Sequence, residues 1–202
     1  MKSELPIGIF DSGIGGLTVA REIIELMPNE KVVYFGDTLH LPYGEKSNEK
    51  VINYCSKICD FLMKKKCKAI VIACNTASSV AMMSIKKKIG KDCYLFNVID
   101  PVIEKIKNLK INHIGIIGTN ATINSKIYEK KINSMYKGCN VFSLATPLLA
   151  PMIESRFHDA SIKKKIIATY LNNEKLNSIE TLILGCTHYP LILSEIQEFY
   201  NN

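Results

Sequence analysis

The chain has 202 residues, of which 47% are hydrophobic and 22% charged, and its net charge is +7 at pH 7. This composition is close to that of ordinary globular proteins, so wholesale disorder and fibrous classes are excluded. No apolar run approaches the ~18 residues that span a bilayer, and the N-terminus leads into a short strand-like run, so we expect a cytoplasmic protein with no membrane contact.

Short apolar runs alternate with longer amphipathic stretches along the chain, which predicts βα repeats and parallel sheets. Several runs are almost continuous Ile, Val and Leu, as expected where helices cover both faces of a sheet. The predicted strands, in chain order, are Pro6–Phe10, Lys31–Phe35, Ala69–Ala73, Cys93–Val98, His113–Ile117, Asn140–Leu144 and Thr181–Leu184. The predicted fold class is therefore α/β, with open parallel sheets.

The repeat pattern breaks near the middle of the chain, where Pro101 interrupts it and a second series of strands begins at Ile111. We therefore predict an N-terminal domain over 1–97 and a C-terminal domain over 98–202. A weak internal echo supports two similar halves, because residues 70–76 and 182–188 both run from an apolar strand to a cysteine and then to polar residues. These cysteines, Cys74 and Cys186, would lie where open α/β sheets bind ligands. A helix N-terminus beside each one is expected to lower the thiol pKa.

The other cysteines suggest packing rather than chemistry. The total of 7 is odd, and a reducing cytosol keeps thiols free. Cys55, Cys59, Cys67, Cys93 and Cys139 fall on helical faces or in strand runs, where a thiol serves as a small hydrophobic group. A zinc site from the first three lacks the paired spacing of a closed site, so we predict no metal.

Positive charge is dispersed along the chain. The lysine clusters at 64–66, 86–88 and 163–165 stand near the ends of helical patterns, where cations complement the helix dipole or face water. Aromatic residues are not interleaved with them, so we expect no nucleic-acid partner.

Paired cysteines on two similar halves suit one kind of reaction. Inversion of an amino-acid α-carbon without a cofactor needs one group that removes a proton and another that delivers one to the opposite face. A thiolate serves as the base and the opposite thiol as the acid, and they exchange roles with the direction of reaction.

Five strings of residues in a fixed order make the sequence recognisable. They are Phe10-Asp11-Ser12-Gly13-Ile14-Gly15-Gly16-Leu17-Thr18-Val19, Leu41-Pro42-Tyr43-Gly44, Ala73-Cys74-Asn75-Thr76-Ala77-Ser78, Gly118-Thr119-Asn120-Ala121-Thr122 and Gly185-Cys186-Thr187-His188-Tyr189-Pro190. Together they resemble the ordered motifs of glutamate racemases over almost the whole chain. The resemblance implies a cofactor-independent isomerase that supplies D-glutamate for peptidoglycan in the cell wall. Its active site would lie in the cleft between the two halves.

The same resemblance assigns roles to individual residues. It implies that Cys74 is the base for D-glutamate and Cys186 the base for L-glutamate. Asp11, beside Cys74, and His188, two residues after Cys186, would assist them, and Glu154 matches an acidic position that pairs with the histidine. Each of these three residues also has a purely structural interpretation. Asp11 is explained as a helix cap, His188 as a buried histidine whose hydrogen bonds are satisfied, and Glu154 as a solvated carboxylate at a helix end.

The segments that resemble the family's binding motifs supply hydroxyls, an amide and backbone N–H groups, which suit carboxylates. No arginine clamp is among them. A threonine taken singly is as well explained as a helix cap. The candidate substrate-binding residues are Asp11, Ser12, Tyr43, Gly44, Asn75, Thr76, Thr119, Thr122, Thr187 and His188.

Other functions remain open at this point. The glycine turn over 13–16 with Asp37 some twenty residues later suggests dinucleotide binding, but its spacing is not that of the fingerprint. An aspartate or hydantoin racemase is a closer alternative, and an inactive homologue acting as a binding protein is another. Members of the family usually continue beyond the last motif and return to the first domain, and the resemblance leads us to expect that this sequence lacks that return. An apolar face left uncovered favours association, so we predict a homodimer.

Overall fold

The computed structural model describes residues 4–91, 93–109, 111–136, 138–155 and 159–201. The strands among these residues form two parallel sheets. Every predicted strand is present, and no boundary differs by more than one residue. The strands are β1 (Ile7–Asp11), β2 (Val32–Gly36), β3 (Ala69–Ile72), β4 (Tyr94–Asn97), β5 (His113–Gly118), β6 (Asn140–Ala145) and β7 (Thr181–Gly185).

The first sheet has the strand order β2-β1-β3-β4. Its helices are α1 (Leu17–Leu26), α2 (Asn48–Lys64), α3 (Asn75–Val80) and α4 (Met82–Ile89). Ile9 packs with α1 on one face, whereas Phe10 and Ile72 pack with α2, α3 and α4 on the other. The central strands β1 and β3 are mostly apolar because both faces of the sheet carry helices there.

The second sheet has the order β6-β5-β7. Its helices are α5 (Ile99–Lys107), α6 (Asn120–Ser125), α7 (Ile127–Met135), α8 (Leu149–Glu154), α9 (Ala160–Leu171) and α10 (Leu193–Asn201). Along β5, Ile114 and Ile116 pack with α5 and α7, and Ile117 packs with α8, α9 and α10 on the opposite face. The chain thus consists of two parallel-sheet α/β halves, as predicted.

The division into domains at residue 98 stays a prediction. The strand β4 ends the first sheet at Asn97, and α5 begins at Ile99 and packs on the second sheet.

Parallel strands place all their carboxyl ends at one edge of a sheet, and here these edges carry the polar motifs. Asp11 ends β1, Cys74 follows β3, Thr119 follows β5 and Cys186 follows β7. The two edges meet through α3 and α6, where the Thr76 hydroxyl lies 2.9 Å from that of Thr119. Within the described residues, no helix is long and apolar enough to cross a membrane.

Candidate active site

A cavity of about 390 Å³ lies between the carboxyl edges of the two sheets. It is lined by Ser12, Leu41, Pro42, Tyr43, Gly44, Cys74, Asn75, Thr76, Thr119, Ala150, Pro151, Glu154, Ser155, Cys186, Thr187 and His188. Of the described lining residues none is a lysine or an arginine. Both halves contribute, and nearly all of the predicted site residues meet here.

Two predicted residues lie behind the wall of the cavity rather than in it. Asp11 is fully buried and accepts hydrogen bonds from the backbone N–H of Gly13 at 3.0 Å and from the Thr187 hydroxyl at 3.2 Å. Burial raises the pKa of Asp11, and the Gly13 N–H and the charge of His188 oppose that rise. Asp11 does not cap α1, whose N-cap is Gly16. It therefore joins the first half to the second.

Thr122 is the second residue behind the wall. Its hydroxyl lies 3.0 Å from that of Thr119 and 3.3 Å from that of Thr76. Thr119 is also the N-cap of α6 and accepts the N–H of Thr122 at 3.2 Å. Capping and a place in the cavity wall therefore coexist at Thr119.

Cys74 is the N-cap of α3, as its position after a strand predicted. Its Sγ accepts the Ala77 N–H at 3.5 Å and donates to the Ser12 hydroxyl at 3.7 Å. Burial, with the charge of Asp11 as the next cause, raises the pKa of Cys74 to about 12. The expected lowering of the thiol pKa is therefore wrong. The short helix α3 stabilises a thiolate less than removal from water destabilises it.

Cys186 lies across the cavity with a different set of neighbours. Its Sγ is 3.6 Å from Nδ1 of His188, and Nε2 of the same ring is 2.7 Å from Oε1 of Glu154. Burial raises the pKa of Cys186 well above its ordinary value, the backbone N–H of His188 opposes this, and the charge of Cys74 adds to it. The expected lowering is wrong here too, because burial dominates and because a 3-10 helix over Tyr189–Ile192, rather than an α-helix, follows Cys186. Glu154 is paired with the histidine as the resemblance implied.

The glycine turn brings the two halves into close contact. A Cβ on Gly13 would lie 2.5 Å from Oε1 of Glu154, and one on Gly15 would lie 2.7 Å from Nδ1 of His188. These glycines are needed because the His188–Glu154 pair approaches the backbone of the turn. The space that a pyrophosphate would need at this turn is occupied by that pair, which argues against dinucleotide binding.

The sequence offers Asp37 only as part of a dinucleotide site, and the structure gives it two other contacts. It is buried and accepts the hydroxyl of Tyr43 at 2.6 Å, and its other oxygen lies 2.7 Å from Nδ1 of His40. Tyr43 thus directs its hydroxyl at Asp37. Asp37 and Tyr43 are six residues apart, and no motif in the sequence marks their contact.

The similarity to known proteins extends over almost the whole chain. A family model described as Asp/Glu/Hydantoin racemase matches residues 8–200. Glutamate racemase 3 of Caldanaerobacter subterraneus is 42% identical over 194 residues, which make up 96% of this chain and 69% of that protein. The crystal structure of glutamate racemase from Francisella tularensis in complex with D-glutamate matches with a TM-score of 0.91 at 38% identity, covering 100% of this chain and 75% of that one. A glutamate racemase isoform from Bacillus anthracis matches with a TM-score of 0.92 at 38% identity, covering 98% and 74%.

Proposed function

The chain belongs to the Asp/Glu/hydantoin racemase family, among its glutamate racemases, and we propose that it interconverts L- and D-glutamate by a two-cysteine, two-base reaction without a cofactor. Its class is that of an isomerase acting on glutamate. The observation that carries the mechanism is the placement of two buried thiols, Cys74 and Cys186, in one cavity from opposite sheets.

The reaction consists of two proton transfers, one on each face of the α-carbon. With L-glutamate, the Cys186 thiolate takes the α-proton and becomes a thiol, and the electron pair is left on the α-carbon and its carboxylate. Cys74 then gives its proton to the opposite face and becomes a thiolate. With D-glutamate the two sulfurs exchange roles.

His188 and Glu154 allow Cys186 to form a thiolate. Because burial raises the pKa of Cys186, its proton needs an acceptor inside the cavity. Nδ1 of His188 is in contact with the sulfur, and Glu154 on Nε2 stabilises the imidazolium that forms. The charge of the buried Asp11 carboxylate raises the pKa of Cys74 and so favours its thiol form. We assign Asp11 the helper role on that side.

The glutamate carboxylates are held, in this proposal, by hydroxyl, amide and backbone N–H donors. Ser12, Asn75 and Thr76 of the first half and Thr119 and Thr187 of the second line the cavity. Tyr43 and Gly44 form its wall. Backbone and hydroxyl donors bind carboxylates without a fixed cation.

The cellular role and assembly are also proposals. We assign the D-glutamate produced to peptidoglycan precursors in a bacterial cytoplasm, which is the role usual for this family. We further propose a homodimer. The exposed Tyr94 and Phe96, with 70% and 54% of their surface accessible on the edge strand β4, support self-association.

Proton NMR in D₂O tests the reaction. Purified protein is incubated with L-glutamate and separately with D-glutamate, with no added cofactor, and the α-proton signal and the optical configuration are followed. Loss of the signal from both enantiomers, with the opposite one appearing, is the expected result. L-aspartate in a parallel sample is expected to keep its α-proton. Folded protein that exchanges aspartate and not glutamate would contradict the assignment of substrate.

A further inference from the structure

Tyr128 joins the two halves behind the cavity wall. It lies on α7 in the second half, with 3% of its surface accessible, and it does not line the cavity. Its hydroxyl donates to Oδ1 of Asn75 at 2.6 Å. Asn75 is the first residue of α3 in the first half and does line the cavity. A buried residue of one half thus determines how a cavity-lining amide of the other is turned.

The same tyrosine also lies against the strand that carries Cys186. A Cβ on Gly185 would lie 3.6 Å from Cε2 of the Tyr128 ring. Burial raises the pKa of Tyr128, and the charge of Cys186 raises it further, so the phenol lies within electrostatic reach of that sulfur. Tyr128 therefore stands between the residue after Cys74 and the residue before Cys186.

An asparagine amide has an acceptor end and a donor end, and they have opposite effects on a carboxylate. When Oδ1 accepts the tyrosine hydroxyl, the two N–H groups are left for a ligand. If the amide turned over, its oxygen would face the carboxylate and repel it. An amide without a fixed partner samples both orientations.

We propose that Tyr128 is a positioning residue that holds the Asn75 amide with its N–H groups toward the cavity and keeps the Cys74 side of the site in register with the Cys186 side. This inference rests on the proposed function, since it concerns how the same cavity receives glutamate. Tyr128 touches no reacting atom. It acts through Asn75.

A purely structural role would have different consequences. A buried tyrosine hydroxyl needs a partner wherever it lies, and losing the bond lowers stability. Tyr189 provides the matched control, since it is fully buried and its hydroxyl lies 2.6 Å from that of Thr146 within the second half. That bond does not cross between the halves.

The test is Tyr128→Phe, alone and combined with Asn75→Ala, with KM and kcat measured for both enantiomers. Tyr128→Phe is expected to raise KM roughly three- to tenfold for both, the effect of one lost orienting hydrogen bond, and to change kcat less. In the Asn75→Ala background the same substitution is expected to leave KM unchanged. Tyr189→Phe is expected to lower the thermal midpoint and to leave KM at the wild-type value.

The result that overturns the inference is separate from the one that overturns the function. If wild-type protein racemises glutamate and Tyr128→Phe has the wild-type KM, or if its effect persists in full without Asn75, Tyr128 has only a structural role. If wild-type protein does not act on glutamate, the proposed function fails. In that case the side-chain amide signals of Asn75 in a ¹⁵N–¹H spectrum test the inference. Signals that are sharp in wild type and shifted or broadened in Tyr128→Phe support the positioning role, and signals that do not change overturn it.

Discussion

The two thiols of the cavity are buried alike but have different neighbours. Cys74 contacts a backbone N–H and the Ser12 hydroxyl, whereas Cys186 contacts the imidazole of His188, which is backed by Glu154. A hydroxyl and an N–H stabilise a thiolate, and only the imidazole also accepts the proton that leaves it. Burial therefore disfavours the thiolate on both sides of the cavity, and each half offsets this with different groups.

Thermodynamics limits how this difference can be observed. Two enantiomers have equal free energy, so kcat/KM must be the same in both directions for the wild type and for every variant. The asymmetry between the two sides is therefore expressed in single steps, such as proton exchange with solvent and isotope effects, rather than in a preferred direction.

Removal of either sulfur is expected to reduce activity the most. Cys74→Ser and Cys186→Ser are each expected to reduce inversion by about 10²–10⁴-fold, since each removes one acid/base group. Cys74→Ser should still exchange the α-proton of L-glutamate through Cys186, and Cys186→Ser that of D-glutamate through Cys74. Loss of the α-proton signal in D₂O measures exchange, and the optical configuration of the recovered glutamate, measured separately, reports inversion.

The serine variants are suitable because serine is itself a good helix cap, so α3 keeps its N-terminus when Cys74 is replaced. Cys139→Ser, at a partly exposed position outside the cavity, is the control and should racemise as wild type does. Inversion at the wild-type rate by either cavity variant would contradict the two-base assignment.

A smaller effect, confined to one side, is expected from His188→Asn. Loss of the proton acceptor beside Cys186 should lower kcat/KM by about 10²-fold in both directions. The α-deuterium isotope effect should rise for L-glutamate, because abstraction by Cys186 becomes slower. It should fall for D-glutamate, because reprotonation by Cys186 then limits the reaction.

His113→Asn, at an exposed position at the start of β5, serves as the control and should leave both isotope effects unchanged. Equal changes for the two enantiomers in His188→Asn would show that His188 serves both sulfurs rather than Cys186 alone.

The sequence predicts the fold and most of the cavity because both leave local signals. A continuous apolar run indicates a strand covered on both faces, and a cysteine after such a run must lie at the carboxyl edge of a parallel sheet. The pKa of the thiols was predicted wrongly, because the depth of burial depends on both halves together. The contact of Tyr128 with Asn75, 53 residues apart, has no local signal at all.

Burial, which the two thiols share, is expected to have a weaker effect, on stability at high pH. The pKa of Cys74 is about 12 in the folded protein against an ordinary 9.0, with burial as the leading cause, and burial also leads at Cys186. Above pH ~9 the unfolded chain loses these protons first, so stability is fully present below that pH and is lost as pH rises toward the folded pKa. By pH ~10 each such thiol should cost on the order of 1 kcal/mol of the free energy of unfolding. Urea unfolding at pH ~7.5 and ~10 measures this loss of stability. The loss should be smaller than in wild type, by the contribution of one thiol, in Cys74→Ser and equally in Cys186→Ser.

A loss of stability that stays as large as in wild type for one variant would mean that the sulfur it removes is ionised in the folded wild-type protein. The two sides would then differ in burial as well as in proton partner.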